Sequence, residues 1–173
     1  TLSSSSAASD VYKRQNCIFL AIKGDNFDAN EFADKAIELG AAYVIIDNPK
    51  KKKDHRYLLV ENTLKALQEL AKFHRNQLTI PIIGITGSNG KTTTKELIYS
   101  TLKEKYNTYA TKGNYNNHIG VPLSVLEINN NHELAIIEMG ASAQKEIEFL
   151  CNISKPTCGL ITNIGKAHLE GFG

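Results

Sequence analysis

Residues 82–96 read IIGITGSNGKTTTKE, and this stretch decides the fold of the second half of the chain. An apolar run ending at Thr86 predicts a buried strand, and a helix is predicted from about Lys91 to Lys103. The turn between them, Gly87-Ser88-Asn89-Gly90, lets the backbone curl so that amide N–H groups point at phosphate oxygens. The helix N-terminus adds partial positive charge. The pattern therefore predicts a nucleotide phosphate loop.

Two side chains at the start of this helix fit the same chemistry. Lys91 would bridge the terminal phosphates of a nucleotide, and the hydroxyl of Thr92 would bind Mg²⁺. The strict pattern GxxxxGK[ST] is not met, because Ile85 stands where the first glycine belongs. The alternative is a glycine-rich turn with an unrelated lysine. The combination of strand, two glycines, Lys-Thr and helix favours the phosphate loop.

Strands and helices alternate along the rest of the chain. Apolar runs predict strands at 17–22, 43–46, 57–60, 82–86, 108–110, 134–138 and 159–162. Helical spacing and capping residues predict helices at 30–39, capped by Asn30, at 62–76, capped by Asn62, at 91–103, at 122–126 and at 142–152, opened by Ser142. This order predicts an α/β fold with a mostly parallel sheet covered on both faces.

Composition divides the chain into three segments. Residues 1–15, TLSSSSAASDVYKRQ, resemble translated adapter sequence, with a natural flexible tail as the alternative. Residues 16–78 form a small α/β unit, and residues 79–173 form the domain with the phosphate loop. The chain opens without Met and stops at Gly171-Phe172-Gly173, so we expect an internal fragment of a longer protein.

Composition also excludes some classes of function. The chain has 173 residues, 42% of them hydrophobic and 22% charged, as is typical of globular proteins. The formal net charge of +2 does not favour a nucleic-acid partner or an acidic membrane surface. No apolar run approaches the roughly 20 residues that span a bilayer. Three cysteines without a CxxC pair argue against zinc or redox sites and fit a cytoplasmic protein.

Further polar residues follow the predicted strands. In an open parallel sheet, ligands bind beyond the carboxyl ends of the strands. Glu138 ends one predicted strand, His168 follows another, and the polar loop 112–118 follows a third. A carboxylate and an imidazole there are suitable Mg²⁺ ligands beside Thr92. The alternatives are a loop or helix-capping carboxylate for Glu138 and a surface histidine for His168.

Four stretches together resemble the Mur ligase family. They are ITGSNGKTTTKE (85–96), GNYNNHIGVPLS (113–124), EMGAS (138–142) and TNIGKAHLEGFG (162–173), and FLAIKGDNFDANEFADKAIELGA (19–41) resembles the family's amino-terminal UDP-binding domain. The resemblance covers residues 16–173. It implies a cytoplasmic, monomeric ligase of peptidoglycan synthesis, with ATP and Mg²⁺ as cofactors. It points to the member that adds D-Ala-D-Ala to UDP-MurNAc-tripeptide through an acyl phosphate.

The resemblance also implies roles for individual residues. Lys91, Glu138 and His168 would be catalytic, and Thr92, Glu138 and His168 would bind Mg²⁺. ATP would contact Thr86, Gly87, Ser88, Asn89, Gly90, Lys91, Thr92 and Thr93. The uridine nucleotide substrate would approach Lys23, Gly24, Asp25 and Asn26. Asn116 or Asn117 would lie near metal and substrate, with Asn117 preferred because it stands closer to Ile119-Gly120.

The chain departs from the family pattern in several places. Ala29-Asn30 stands where the family usually has Gly-His, and the Asp-Ser-Arg or Asp-Thr-Arg stretch before the first strand is absent. The family's carbamylated lysine and carboxy-terminal domain would lie beyond Gly173, so we expect the fragment itself to be inactive. Two alternatives stay open: a sibling ligase that adds a single amino acid, and a P-loop nucleotide-binding module without ligase activity.

Overall fold

The computed structural model describes residues 16–24 and 27–165. By its internal contacts the chain divides after Ala66 into two units. This division comes earlier than the boundary at residue 78 that composition predicts, and it falls inside a helix that runs from Thr63 to Gln77. Each unit has its own sheet and its own apolar core.

The first unit is built on a parallel sheet. Its elements are β1 (Ile18–Leu20), β2 (Lys23–Gly24), β3 (Phe27–Asp28), α1 (Ala33–Glu38), β4 (Tyr43–Ile46) and β5 (Tyr57–Leu59). The sheet has the order β1-β4-β5, and β2 and β3 form a separate antiparallel pair. Small residues of α1, Ala33 and Ala36, are buried in the same cluster as Val44 and Ile46 of β4. Small side chains let a helix approach a sheet closely, and Ala33 and Ala36 give α1 such a face.

Asn30 does not cap a helix, so that prediction is wrong. A 3₁₀ turn over Ala29–Phe32 precedes α1, and its cap is Asp28, which accepts a hydrogen bond from the Asn30 amide. The Asn30 side chain is instead fully buried and bonds to the Asp47 carboxylate and backbone. Buried polar groups need hydrogen-bond partners, and Asp47, which follows β4, supplies them to Asn30.

The second unit contains a four-stranded parallel sheet. Its elements are α2 (Thr63–Gln77, which begins before the division), β6 (Ile82–Thr86), α3 (Lys91–Leu102), β7 (Thr108–Ala110), α4 (Gly120–Glu127), β8 (Leu134–Glu138), α5 (Glu146–Ser154) and β9 (Cys158–Ile161). The strand order is β7-β8-β6-β9. The core forms around Ile82, Val125 and Ile137. The predicted α/β fold with mostly parallel sheets is confirmed.

Helix α5 begins later than predicted. Ser142 lies in a turn, where its amide and that of Ala143 donate to the Glu146 carboxylate. Lys145 then adopts a left-handed φ of 65°, which interrupts any helix running through it. The helix therefore starts at Glu146. In the ranges that the structure describes, no helix combines the length and the apolarity needed to cross a membrane.

Candidate nucleotide-binding site

The glycine turn joins the carboxyl end of β6 to the first residue of α3. Gly87 has a φ of +137° and Gly90 a φ of +78°, conformations that favour glycine. A Cβ at Gly87 would overlap the Thr162 side chain and lie 3.0 Å from the Thr162 nitrogen. Glycine is therefore required at Gly87 for conformation and for space.

The segment after β9 lies against this turn. The Ser88 amide donates to the Asn163 carbonyl at 3.1 Å, and the Asn89 amide donates to the Asn163 side-chain oxygen at 2.9 Å. Thr162 donates its hydroxyl to the Asn89 carbonyl at 2.6 Å. Two adjacent amides of the turn thus donate to Asn163, and adjacent backbone amides of such a turn are the groups that bind phosphate.

Lys91 and Thr92 stand at the first turn of α3. The Lys91 ammonium donates to the Gly87 carbonyl at 2.6 Å and lies 3.3 Å from the Ser88 carbonyl. It also lines a cavity of about 370 Å³. Thr93, the last predicted phosphate-loop residue, is exposed on the same turn. The ammonium is therefore close to the helix N-terminus, where anions are favoured.

Glu138 ends β8 beside the loop, because β8 pairs with β6 and places Glu138 opposite Ile85. Its side chain is 1% exposed. Oε1 accepts hydrogen bonds from the Thr92 hydroxyl at 3.2 Å and from the side-chain amide of Asn116 at 2.8 Å. The structure thus brings together Thr92 and Glu138, which the sequence pairs as metal ligands.

The two asparagines of the loop 112–119 have different partners. Asn117 uses its side-chain oxygen to accept from the amides of Ile119 and Gly120, at 3.0 and 2.9 Å, and so caps the start of α4. Asn116 contacts Glu138, and its carbonyl accepts from the Gly140 amide at 2.8 Å. The structure therefore places Asn116, rather than the preferred Asn117, against the candidate metal ligand.

Lys95 is a site residue that sequence reasoning missed. It is fully buried, and its ammonium lies 3.8 Å from Glu138 Oε2. The signal was available, since Lys95 is four residues after Lys91 and so lies on the same face of α3. A lysine facing a sheet is easily taken for a solvated residue when only the sequence is known.

The donor set fits a divalent cation such as Mg²⁺. Hydroxyl and carboxylate oxygens are the ligands that this ion prefers. Glu138 Oε2 is buried and makes no hydrogen bond with the described residues, whereas Oε1 faces the Thr92 hydroxyl and is the carboxylate oxygen beside which a cation held by both residues would lie. Within those residues no group of three or more His, Cys, Asp or Glu side chains gathers. His168, the third predicted ligand, lies outside the described residues.

The cavity beside Lys91 has a lining of mixed polarity. Asn116, Asn117 and Gly140 line it together with Phe149 and Leu150 of α5. Such a mixture suits an organic ligand with a polar end. The cavity therefore leaves room for a second ligand next to the phosphate loop.

In the first unit, Lys23 pairs with Asp47. The Lys23 ammonium lies 2.8 Å from Asp47 Oδ1, and this hydrogen bond raises the pKa of Lys23. Gly24 is exposed beside it in β2. Asp25 and Asn26, which the sequence also predicts to approach the uridine nucleotide, lie outside the described residues.

The chain is similar to known proteins of one family. Residues 85–173 match the family described as Mur ligase middle domain. The UDP-N-acetylmuramoyl-tripeptide–D-alanyl-D-alanine ligase of Bacillus subtilis is 44% identical over 169 residues, which is 96% of this chain and 37% of that protein. The chain thus spans little more than a third of that relative.

Solved structures give the same result. The crystal structure of MurF from Acinetobacter baumannii has a TM-score of 0.82 at 39% identity, over 90% of this chain and 34% of that one. MurF ligase from Thermotoga maritima, in complex with ADP, has a TM-score of 0.81 at 38% identity, over 90% of this chain and 36% of that one. The resemblance seen in the sequence is confirmed, and the chain belongs to the Mur ligase family.

Proposed function

We propose that the protein containing this chain is an ATP-dependent ligase that joins D-Ala-D-Ala to UDP-MurNAc-tripeptide through an acyl phosphate. The observation that carries this proposal is the phosphate loop, with Lys91 at its end and the Thr92–Glu138 pair beside it. Relatives that bear the name of this ligase match nearly the whole chain. Thiols at Cys17, Cys151 and Cys158 fit the reducing cytoplasm where we place the protein, as a monomer.

The chemistry brings a substrate carboxylate towards a triphosphate, so two anions must approach each other. When bound, ATP supplies the phosphoryl group that activates the carboxylate, and Mg²⁺ offsets negative charge on the phosphates. Lys91, whose ammonium donates to the Gly87 carbonyl, would hold the terminal phosphates of the nucleotide. The amides of the turn and the N-terminus of α3 would bind phosphate oxygens.

Other residues hold the metal and the substrates. Thr92 and Glu138 would hold Mg²⁺, with His168 as the third ligand of the proposal. Asn116, which already contacts Glu138, would orient that carboxylate or the substrate next to it. Lys23 would bind an anionic part of the uridine nucleotide, with Asp47 fixing the ammonium.

The test is Lys91→Ala in the full-length protein, with phosphate release measured in the presence of ATP, UDP-MurNAc-tripeptide and D-Ala-D-Ala. We expect turnover to be abolished, because the charge that offsets the meeting of two anions is lost. The matched control is Lys103→Ala at the exposed end of the same helix, with turnover like that of the wild type. Undiminished turnover of Lys91→Ala would refute the assignment.

The alternatives are separated by the choice of amino donor. A sibling ligase would release phosphate only with a single amino acid as donor. A nucleotide-binding module without ligase activity would hydrolyse ATP at the same rate with or without UDP-MurNAc-tripeptide. Phosphate release that requires both the tripeptide and D-Ala-D-Ala supports the proposed function.

A further inference from the structure

A lysine is buried behind the candidate metal ligand. Lys95 lies one turn after Lys91 in α3, with no exposed surface, and its ammonium donates to the Thr111 carbonyl at 2.7 Å. It lies 3.1 Å from the Glu96 carboxylate and 3.8 Å from Glu138 Oε2. Unlike Lys91, it does not line the cavity beside the loop.

Packing alone does not account for this ammonium. Burying a charge costs free energy unless the charge is paired and hydrogen-bonded. An apolar residue of similar volume often replaces a buried ion pair without loss of stability. Of the two carboxylates near the ammonium, Glu96 is exposed and Glu138 is buried, so Glu138 carries the buried negative charge that Lys95 faces.

The contacts of Glu138 show what the charge does. Thr92 and Asn116 both donate to Oε1, and Lys95 faces Oε2 on the other side of the carboxylate. Thr111 ties the two residues together, because its carbonyl accepts from Lys95 and its hydroxyl accepts from the Glu138 amide at 3.0 Å. Backbone and side chain of Glu138 are thus held from both sides.

We propose that Lys95 is a positioning residue that holds the Glu138 carboxylate in the orientation that presents it to Thr92 and to a divalent cation. This inference rests on the proposed function, in which Thr92 and Glu138 hold Mg²⁺. Outer residues that orient metal ligands in this way commonly change metal affinity when they are replaced. Since Lys95 is buried behind the carboxylate, its loss affects the metal and leaves phosphate contacts in place.

The first experiment measures metal binding in the full-length protein. Lys95→Gln keeps an N–H donor for the Thr111 carbonyl and removes the charge. The probe is Mn²⁺, followed by electron paramagnetic resonance in the presence of a non-hydrolysable ATP analogue. We expect Lys95→Gln to weaken Mn²⁺ binding about tenfold or more, with unchanged affinity for the metal-free analogue.

Glu96→Gln is the matched control, because it removes the other carboxylate beside Lys95 and is exposed. We expect Mn²⁺ binding of this variant to equal that of the wild type. A Lys95→Gln variant that binds Mn²⁺ within about twofold of the wild type would overturn the proposal. So would an equal loss of affinity for the metal-free analogue, which would indicate general damage to the loop.

The second experiment needs neither metal nor nucleotide. Thermal unfolding midpoints are compared for Lys95→Met, Glu138→Gln and the double variant. We expect the double variant to lose less than the sum of the two single losses, since either single change already removes the Lys95–Glu138 charge pair and the second change has none left to remove. Additive losses would overturn the proposal. A wild type that binds no ATP analogue would contradict the proposed function, while this cycle would still test the Lys95–Glu138 pair.

Discussion

At the scale of single residues, Gly87 is the position where the loop tolerates the least change. Its left-handed φ and its distance to Thr162 leave no room for a side chain. We expect Gly87→Ala to lose nucleotide binding and to lower the free energy of unfolding by about 1–3 kcal/mol. Titration with an ATP analogue and chemical denaturation measure the two effects.

The control is Gly159→Ala in β9, where the nearest atom to a new Cβ is the Gly84 carbonyl oxygen at 3.9 Å. This contact is ordinary, so affinity and stability should both stay near those of the wild type. Nucleotide affinity retained by Gly87→Ala would show that the loop can take another shape.

The sequence predicts some of these residues better than others. Lys91, Thr92 and Glu138 were placed together because they follow neighbouring strands of a parallel sheet, and Thr92 does contact Glu138. Asn116 is one of the two asparagines that the resemblance places near the metal, but the sequence does not indicate its contact with Glu138 or that of Lys95, because the direction of a side chain depends on partners far along the chain. Asn117 was preferred for its place in the motif, but its side chain caps α4.

At the scale of elements, Arg75 joins the end of α2 to the end of α5. Its guanidinium is buried and donates to the carbonyls of Ser154, Lys155 and Leu78, at 2.8, 3.0 and 2.9 Å. The last carbonyls of a helix have no partner inside the helix, so Arg75 supplies one for α5. Burial lowers the pKa of Arg75.

We expect Arg75→Met to lower the free energy of unfolding by about 2–4 kcal/mol, because buried carbonyls lose charged donors. Denaturant titration measures this loss. Arg56→Met is the control, since Arg56 and Asp54 form a partly exposed pair, for which we expect less than about 1 kcal/mol. Equal effects of the two changes would show that Arg75 does not support α5.

The bounds of a strand are predicted correctly where its run of apolar residues is uninterrupted. The strands 43–46, 82–86, 108–110 and 134–138 were predicted with the bounds that the structure has. Their apolar runs end at polar or turn-forming residues, which leaves little choice of register. The start of α5 was missed because the Glu146 carboxylate accepts from two preceding amides and Lys145 turns to the left-handed region.

At the scale of the whole molecule, sensitivity to low pH comes from aspartates of the first unit whose pKa values are lowered in the folded state. Hydrogen bonds from Lys53 and Arg56 lower the pKa values of Asp34 and Asp54. Burial raises the pKa of Asp47. Hydrogen bonds from Lys23, Asn30 and Thr63 together lower it by more, so its pKa lies below the usual 3.8. Folding thus favours the ionised form of each.

The sign of the pH dependence follows. The stabilisation by ionised Asp47 is present above its unfolded pKa of 3.8 and is lost as the pH falls through the lower folded value. We expect Asp47→Asn to be less stable than the wild type at neutral pH and to lose less stability below about pH 4. Unfolding midpoints measured from about pH 7 to about pH 2 test this.

Glu61→Gln, at an exposed position, is the control and should follow the wild-type curve. An Asp47→Asn curve parallel to that of the wild type in acid would contradict the role given to Asp47. Because the sequence shows charge but not burial, the pairing of Asp47 with Asn30 and Lys23 was beyond sequence reasoning.

The hydrogen bonds between Asn163 and the turn after β6 have a consequence for how a nucleotide enters. The amides of Ser88 and Asn89 already have oxygen partners on Asn163, so an arriving phosphate must compete with the chain itself. Phosphate oxygens would then replace the Asn163 oxygens as acceptors for these amides. The free energy gained is the difference between the two sets of hydrogen bonds. By reciprocity, a contact that tightens residues 162–165 against the turn would weaken phosphate binding to these two amides, and a phosphate on them would loosen that segment.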